Sequence, residues 1–165
     1  MLYEKIYPEF MEKTQKEKYR EIIAETKLQG KVLDVACGPG FGVEIFPHAI
    51  FTDKNLEYLR AFKGLRVLAN ANFLPFHDKS FDTVVCIDFI HLMKNTAELN
   101  RVSNKTIIAS EFCNENNYKE KFEHLKNIFW NVKKEFVVKT EKEWDAVIVA
   151  QSALTKRRLL QQILH

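Results

Sequence analysis

The stretch Val32–Gly42 constrains the fold more than any other part of the chain. In this stretch a short apolar run with β-branched residues is followed by glycines at positions 38, 40 and 42. Such a run predicts a buried strand that ends in a tight turn. Gly38 and Gly40 allow positive φ angles and close approach of a ligand, and a helix starting after them would offer free N–H groups to an anion. The pattern indicates a cofactor cradle, although a plain strand-to-helix connection would also need glycine.

The length and composition suit one domain with a single core. The chain has 165 residues, of which 46% are hydrophobic and 28% charged, and its net charge of +3 is too small to argue for a nucleic-acid partner. No apolar run approaches the roughly 20 residues that span a bilayer, and the N-terminus lacks the order of a signal peptide. The cysteines, Cys37, Cys86 and Cys113, are odd in number and widely spaced, so they suggest neither a disulfide framework nor a metal site. We therefore expect a cytoplasmic protein without a membrane association or a metal.

Alternating strands and helices predict an open, doubly wound, mostly parallel Rossmann-like α/β sheet. The predicted strands are 31–36, 49–52, 65–69, 81–88 and 106–110, followed by an antiparallel hairpin of 136–140 and 144–150; the predicted helices are 9–29, 55–62, 95–102, 117–130 and 154–164, with one further short helix after the glycines. The chain then divides into an N-terminal helical segment (1–29), a core (30–112) and a closing part (113–165). Aromatic residues in the first segment either pack on the sheet edge or form a flap over a ligand.

Four predicted strand ends converge on one crevice, because ligands of such sheets bind beyond the carboxyl ends of the strands. These ends are segment 37–40, Asp53, segment 70–71 and segment 88–89. Asp53 follows Asp34 by 19 positions, close to the separation at which an acid meets a ribose diol. A solvated turn aspartate is the alternative interpretation of Asp53.

The glycine spacing argues against a nicotinamide-dependent oxidoreductase. The dinucleotide fingerprint requires glycine three positions after its second glycine, where this chain has Val43. The third glycine falls at Gly42 instead, which gives the pattern G-x-G-x-G.

With these motifs the chain resembles the class I S-adenosylmethionine-dependent methyltransferases. Val32–Gly40 is similar to the first motif of that family, and Asp53 to its ribose-binding acid. Leu74–Val84 resembles the LPF-x-D-x-SFD-x-V segment of the small-molecule branch. The resemblance covers roughly residues 30–112. It implies S-adenosylmethionine as the cofactor and a sheet of about seven strands whose last strand is inserted antiparallel.

The resemblance also implies a set of cofactor-binding residues. Gly38 and Gly40 would face the methionine portion, Asp34 would orient its ammonium, and Asp88 would lie near the sulfonium. Asn70 and Ala71 would meet the adenine edge. The full implied set is Asp34, Ala36, Cys37, Gly38, Pro39, Gly40, Asp53, Lys54, Asn70, Ala71, Asp88 and Phe89. Three departures weaken the match: the short helix after the glycines, Asn70 in place of a common aspartate, and Lys54 where an apolar residue commonly packs on adenine.

The implied reaction is an SN2 displacement at the sulfonium methyl, which depends on positioning more than on reactive side chains. His91, three residues beyond Asp88, is the candidate catalytic base if the acceptor must lose a proton. A packed or solvated histidine is the alternative. Asp88 and Glu111 are further candidates, and either one could instead cap a helix.

The acceptor class is inferred from absent motifs. After the fourth strand the chain reads I-D-F-I, without the Asn/Asp-Pro-Pro-aromatic motif that the resemblance associates with amino-methylating nucleic-acid enzymes. A small-molecule methyl acceptor is therefore expected. Because the chain is close to a bare cofactor domain, its acceptor pocket would depend on the N-terminal segment, the 112–120 region, or another subunit, including a homodimer partner. The competing hypothesis is a non-catalytic S-adenosylmethionine-binding domain that serves as a partner subunit.

Overall fold

The computed structural model describes residues 2–129 and 131–152, which form one seven-stranded sheet with helices on both faces. The elements in chain order are α1 (Leu2–Thr26), β1 (Val32–Val35), β2 (Ile50–Asp53), α2 (Leu56–Arg60), β3 (Leu65–Leu68), β4 (Phe81–Cys86), α3 (Ala97–Val102), β5 (Ser103–Cys113), α4 (Tyr118–Ile128), β6 (Val132–Lys139) and β7 (Trp144–Gln151). A single 3-10 turn, Ile90–Leu92, precedes α3. None of the described helices is both long and apolar enough to cross a bilayer.

The strands follow the order β3-β2-β1-β4-β5-β7-β6. The first five strands of the chain pair in parallel, whereas β7 is antiparallel to both of its neighbours, β5 and β6. The predicted α/β class, with about seven strands and a C-terminal antiparallel hairpin, is therefore confirmed.

The central strands carry apolar residues on both faces, which explains why helices cover both faces of the sheet. On one face, α1 and α2 cover a cluster that includes Tyr19, Ile22, Phe51, Leu59 and Val85. On the other face, α3 and α4 cover a second cluster that includes Leu99, Val102, Phe122, Leu125 and Ile148. This layering places the carboxyl ends of β1 to β4 at one rim of the sheet, where the candidate site lies.

The predicted short helix after the glycines is wrong. Residues 38–48 form consecutive turns, in which Val43 N–H donates to Gly40 C=O at 3.1 Å and Ile45 N–H donates to Gly42 C=O at 3.0 Å. Gly40 has a φ of +84°, and Pro47 follows soon after. The left-handed residue at one end and the proline at the other leave too few residues for a regular helix.

Other boundaries differ from the prediction at the ends of elements. Helix α1 begins at Leu2 rather than at residue 9, and it ends at Thr26, because Lys27 adopts a left-handed φ of +52°. Strand β5 runs from Ser103 to Cys113 because it pairs with β4 at its start and with β7 at its end. The helix predicted over 154–164 lies outside the described residues.

We predict that Gly42→Ala destabilises the fold by about 1–3 kcal/mol through overpacking. An added Cβ would lie 2.5 Å from Cζ of Phe46 and 2.9 Å from Cε1 of Tyr19, and both rings are buried. Thermal and urea unfolding followed by circular dichroism measure the loss. Gly64→Ala is the matched control, because its nearest neighbour would be Val43 Cγ2 at 3.4 Å. Equal stability of the two variants would contradict the prediction.

Candidate cofactor site

Two adjoining cavities of about 290 Å³ each open at the carboxyl ends of β1 to β4. The loop-side cavity lies against the glycine turn and is also lined by Gln15, Tyr19, Cys37, Gly38, Pro39 and Asp88. The turn-side cavity lies against residues 69–72 and Lys94. Residues common to both cavities are Ala36, Asp53, Lys54, Phe89 and Leu92. The crevice predicted from the strand ends is therefore an open space rather than one filled by the protein's own side chains.

Asp53 stands where the two cavities meet and holds the surrounding backbone. Its Oδ2 accepts a hydrogen bond from Gly38 N–H at 2.9 Å, and its Oδ1 accepts one from Asn55 N–H at 2.8 Å. Asn55 in turn caps α2 by accepting from Glu57 N–H at 3.0 Å. An ionised carboxylate offers about four lone-pair positions, so both oxygens of Asp53 retain capacity for a ligand's hydroxyl groups.

The two central glycines have different roles in the turn. A Cβ at Gly38, whose φ is +57°, would meet only Phe41 Cε2 at 3.9 Å, so the space beside this residue is open. A Cβ at Gly40 would instead lie 2.3 Å from Cδ1 of Phe62. The close approach at Gly40 is therefore to the protein's own ring, and Gly40 does not line either cavity.

The floor of the turn-side cavity is a polar turn built by asparagines. Asn70 Oδ1 accepts from Asn72 N–H at 3.0 Å, and Asn72 Oδ1 accepts from the backbone N–H groups of Lys94 and Asn95 at 2.7 and 2.8 Å. Asn72 thus ties the segment after β3 to the segment before α3. These bonds fix the backbone around Ala71, which lines the cavity.

A buried lysine lies beside the loop-side cavity among three carboxylates. The Nζ of Lys18, on α1, contacts Asp88 and lies 2.8 Å from Glu143 and 2.7 Å from Asp145. One oxygen from each carboxylate lies within 4.8 Å of the others, and the side chain of Lys18 is fully buried. Ser110 Oγ donates to Asp145 at 2.7 Å and accepts from Asp88 N–H at 3.1 Å. We call Lys18, Asp88, Glu143 and Asp145 the Lys18 cluster.

Charge distribution within the Lys18 cluster follows from burial and contact. Burial disfavours the ammonium, but the charges of Asp88 and Asp145 outweigh it and raise the pKa of Lys18. Burial and the neighbouring Asp88 raise the pKa of Asp145 well above its usual range. Burial also acts against ionised Asp88, yet its bonds to Asp145 and Lys18 lower its pKa. Within this pair, the surroundings therefore favour ionisation of Asp88 over ionisation of Asp145.

Residues 33–106 match the model of the methyltransferase domain family. This segment is less than half of the chain. Over that segment the match agrees with the resemblance to methyltransferases found from the sequence motifs.

Three proteins illustrate what the chain is similar to. An uncharacterised protein of Methanocaldococcus jannaschii is 33% identical over an alignment of 105 residues, with a coverage of 55% of this chain and 42% of that protein. The complex between the Haloferax volcanii Trm112 methyltransferase activator and a candidate methyltransferase contains a chain with 13% identity and a TM-score of 0.74, covering 90% of this chain and 96% of that one. Magnesium protoporphyrin IX methyltransferase from Synechocystis, solved with bound S-adenosylmethionine, has 17% identity and a TM-score of 0.62, with coverages of 86% and 79%. The matched segment spans less than half of the curated relative, and the two structures share the fold.

Asp34 of the methyltransferase motif lies beneath the cavities rather than in their walls. Its carboxylate is fully buried and accepts from the hydroxyl of Tyr19 at 3.2 Å. Burial, with a smaller contribution from Asp53, raises the pKa of Asp34 well above its usual range and outweighs the Tyr19 bond. Burial likewise raises the pKa of Tyr19. The orienting role implied for Asp34 stays a prediction.

The candidate bases occupy different positions. Asp88 lines the loop-side cavity, with a left-handed φ of +55° that marks strain at this strand end. His91 lies exposed on the 3-10 turn and does not line either cavity, although its neighbour Leu92 lines both. Glu111 is buried and its Oε2 contacts Nδ1 of His124, on α4, at 2.9 Å. The structure therefore brings only Asp88 of these three into the cavity walls, and the catalytic role of His91 stays a prediction.

Several wall residues were missed by sequence reasoning. Gln15 and Tyr19 come from α1, Leu92 and Lys94 from the segment after β4, and Tyr58 from α2. No motif marks them, because long-range packing brings them to the rim. The aromatic content of the first segment was the one available signal, and Tyr19 fits the flap interpretation.

We predict that Lys18→Met lowers the free energy of unfolding by about 3–5 kcal/mol, because it leaves buried carboxylates without their cation. Chemical unfolding monitored by fluorescence measures this change. Lys13→Met is the control on the same helix, since the Lys13 side chain is 85% exposed and its pair with Glu141 at 3.6 Å is on the surface. We expect about 0–1 kcal/mol there. A loss at Lys18 as small as at Lys13 would contradict the prediction.

We predict that Asp34→Asn changes the pH dependence of stability. In the unfolded chain Asp34 loses its proton near its ordinary pKa of about 3.9, whereas the folded protein keeps that proton to higher pH. The wild type should therefore lose stability relative to the variant as pH rises above about 4, by about 1.4 kcal/mol per pH unit, until the raised pKa is reached. Asparagine still accepts from Tyr19. Urea unfolding between pH 5 and 8 measures the difference, and parallel profiles would refute it.

Proposed function

We propose that this chain binds S-adenosylmethionine across the two cavities and transfers its methyl group to a small-molecule acceptor. The observation that carries the proposal is the carboxylate of Asp53, which stands at the junction of the cavities with an open glycine backbone beside it. A carboxylate between two cavities suits a ribose that joins a base on one side to an amino acid on the other. The match of residues 33–106 to the methyltransferase domain family supports the same cofactor.

In the proposed complex, different residues of the chain bind the ribose, the adenine and the methionine portion of the cofactor. Asp53 would accept the ribose hydroxyls, each charge-assisted bond contributing about 1.5–3 kcal/mol. The adenine would lie in the turn-side cavity, against the segment Asn70–Asn72 and between Lys54 and Leu92. The methionine portion would lie in the loop-side cavity beside Gly38 and near the negative charge of Asp88.

In the proposed reaction the chain positions the cofactor and the acceptor, and none of its own side chains needs to form a covalent bond. The bound cofactor supplies an activated methyl group, so holding the acceptor in line could provide several kcal/mol. Contacts within the Lys18 cluster lower the pKa of Asp88 at the wall of the cavity, and its carboxylate would attract a cationic group. A small acceptor fits this arrangement, because Gln15 and Tyr19 of α1 close one side of the loop-side cavity.

A partner subunit is the second candidate function. The similarity to a chain solved with the Trm112 methyltransferase activator favours it, as does the absence of a regular helix after the glycine turn. In that case the chain would be a non-catalytic domain that binds the cofactor and acts as the partner subunit of a second protein. Methyl transfer to a broad acceptor panel, measured with and without a Trm112-type activator, separates the two candidates.

We predict that Asp53→Ala weakens S-adenosylmethionine binding at least about tenfold, because the ribose loses its carboxylate acceptor. Isothermal titration calorimetry measures the affinity, with circular dichroism to verify that the variant is folded. Asp78→Ala is the control, since Asp78 is an exposed carboxylate paired with Arg101 away from both cavities. Unchanged affinity in a folded Asp53→Ala protein would remove Asp53 from the site.

We also predict opposite outcomes for two adjacent residues of the 3-10 turn. Leu92→Ser should weaken cofactor binding about threefold or more, because Leu92 lines both cavities with apolar surface. His91→Ala should leave the affinity within about twofold, since His91 lies outside them. The same titration serves both variants. A larger loss for His91 than for Leu92 would contradict this placement of the cofactor.

A further inference from the structure

The outer strand β3 exposes an unusual amount of apolar surface. Leu65 is 60% exposed and Leu68 is 54% exposed, and Phe73, just after the strand, is 75% exposed. Among the described strands, β3 pairs only with β2. Contiguous exposed apolar side chains on an open edge mark a site of protein–protein contact.

One face of this edge lacks the helical layer that covers the rest of the sheet. Arg66 defines the covered face, because its Nη1 donates to the carbonyls of Leu59 and Phe62 at the end of α2. Side chains alternate along a strand, so Leu65 and Val67 face the other way. There, α3 packs on β4 and β5 and α4 packs on β5, β6 and β7, with no described helix over β3.

The backbone of β3 also has hydrogen-bonding groups directed outward. Ala69 N–H donates to Asp53 C=O at 3.0 Å, toward β2. Because amide directions alternate along a strand, the N–H groups of Leu68 and Arg66 point away from β2. An extended segment could pair with them and continue the sheet, as in strand addition.

The charge at this edge restricts what could bind there. Residues 54–68 contain Lys54, Arg60, Lys63 and Arg66 against a single carboxylate, Glu57. All four cations are exposed. Arg60 is paired with Glu57 at 2.8 Å and Lys54 also lines the cavities, so Lys63 and Arg66 are the cations nearest the free edge. A second copy pairing through β3 would bring the same cations together, which is unfavourable. A partner with acidic side chains would be complementary.

We propose that the β3 edge is a docking site for an extended, acidic segment of another protein, which adds a strand to the sheet through the outward amides of Arg66 and Leu68 and packs apolar side chains on the uncovered face at Leu65 and Val67. The backbone amides of β3 would supply affinity, and the cations around it would select acidic residues. This inference does not depend on methyl transfer, because it rests on the edge strand and not on the cavities.

The test uses a synthetic peptide of alternating glutamate and valine, with a lysine–valine peptide of the same length as its counterpart. Titration of the full ¹⁵N-labelled chain followed by NMR gives the affinity and locates the contact. We expect the acidic peptide to shift the amides of Arg66 and Leu68 and to bind at least about tenfold more tightly than the basic peptide.

Two variants and a control make the test decisive. Leu65→Ser and Leu68→Pro should each weaken peptide binding about tenfold; the proline also removes an outward amide, and edge strands tolerate proline. Phe112→Ser, at a 49% exposed position on β5, should leave binding within about twofold. S-adenosylmethionine affinity measured on the same variants reports separately on the cavities.

Four results would overturn the proposal. They are no binding of the acidic peptide, shifts located away from β3, tighter binding of single-stranded RNA at the same amides, and concentration-dependent self-association through β3. The last two would assign the edge to a nucleic acid or to a second copy of the chain.

Discussion

The buried ammonium of Lys18 joins α1 to the sheet through ion pairs, in addition to the apolar packing of Tyr19 and Ile22. Through this one group the first helix is joined to the end of β4, to the turn between β6 and β7, and to β7 itself. Other charged contacts of α1, such as Lys16 with Glu44 at 2.9 Å, lie nearer the surface and contribute less. Removing the Lys18 ammonium would leave buried carboxylates uncompensated. The position of Gln15 and Tyr19 at the loop-side cavity follows from that attachment.

The shape of the candidate site depends in turn on Asp53. Its two backbone bonds connect the glycine turn after β1 with the start of α2, so the cavities share a wall that is fixed from both sides. A carboxylate that organises its own loop is already oriented before a ligand binds, which reduces the entropy lost on binding. The residue for which we propose the ribose contact thus also holds the backbone of the site.

Local sequence signals predicted the parts of the structure that local physics determines. The β-branched run before Gly38 and the acid at the end of β2 predicted the strand ends and the crevice, because strands and turns are encoded over a few residues. The full length of α1 could not be predicted, since the helix continues through Pro8, where a sequence interpretation stops it. The Lys18 cluster was also beyond sequence reasoning, because Lys18 and Asp145 are far apart in the chain and only tertiary packing unites them. Gly40 shows a third limit of prediction from sequence. The glycine spacing indicates that some group approaches the backbone closely, but in the structure that group is the ring of Phe62 and not a ligand cavity.

The segment after β3 connects the two surfaces for which functions are proposed. Asn70 forms an isolated bridge with Phe73, so the turn that carries the exposed Phe73 ring also carries the backbone that lines the turn-side cavity. This polar turn follows β3 and forms the floor of the turn-side cavity, and no described helix packs on the outward face of the strand. A strand docked on β3 would contact one side of the turn while a bound nucleoside contacted the other. Any ordering of the turn by one ligand would favour the other by the same free energy, because coupling between sites is reciprocal. The exposed edge of β3 and the turn-side cavity therefore share one structural element, the turn that contains Asn70 and Phe73.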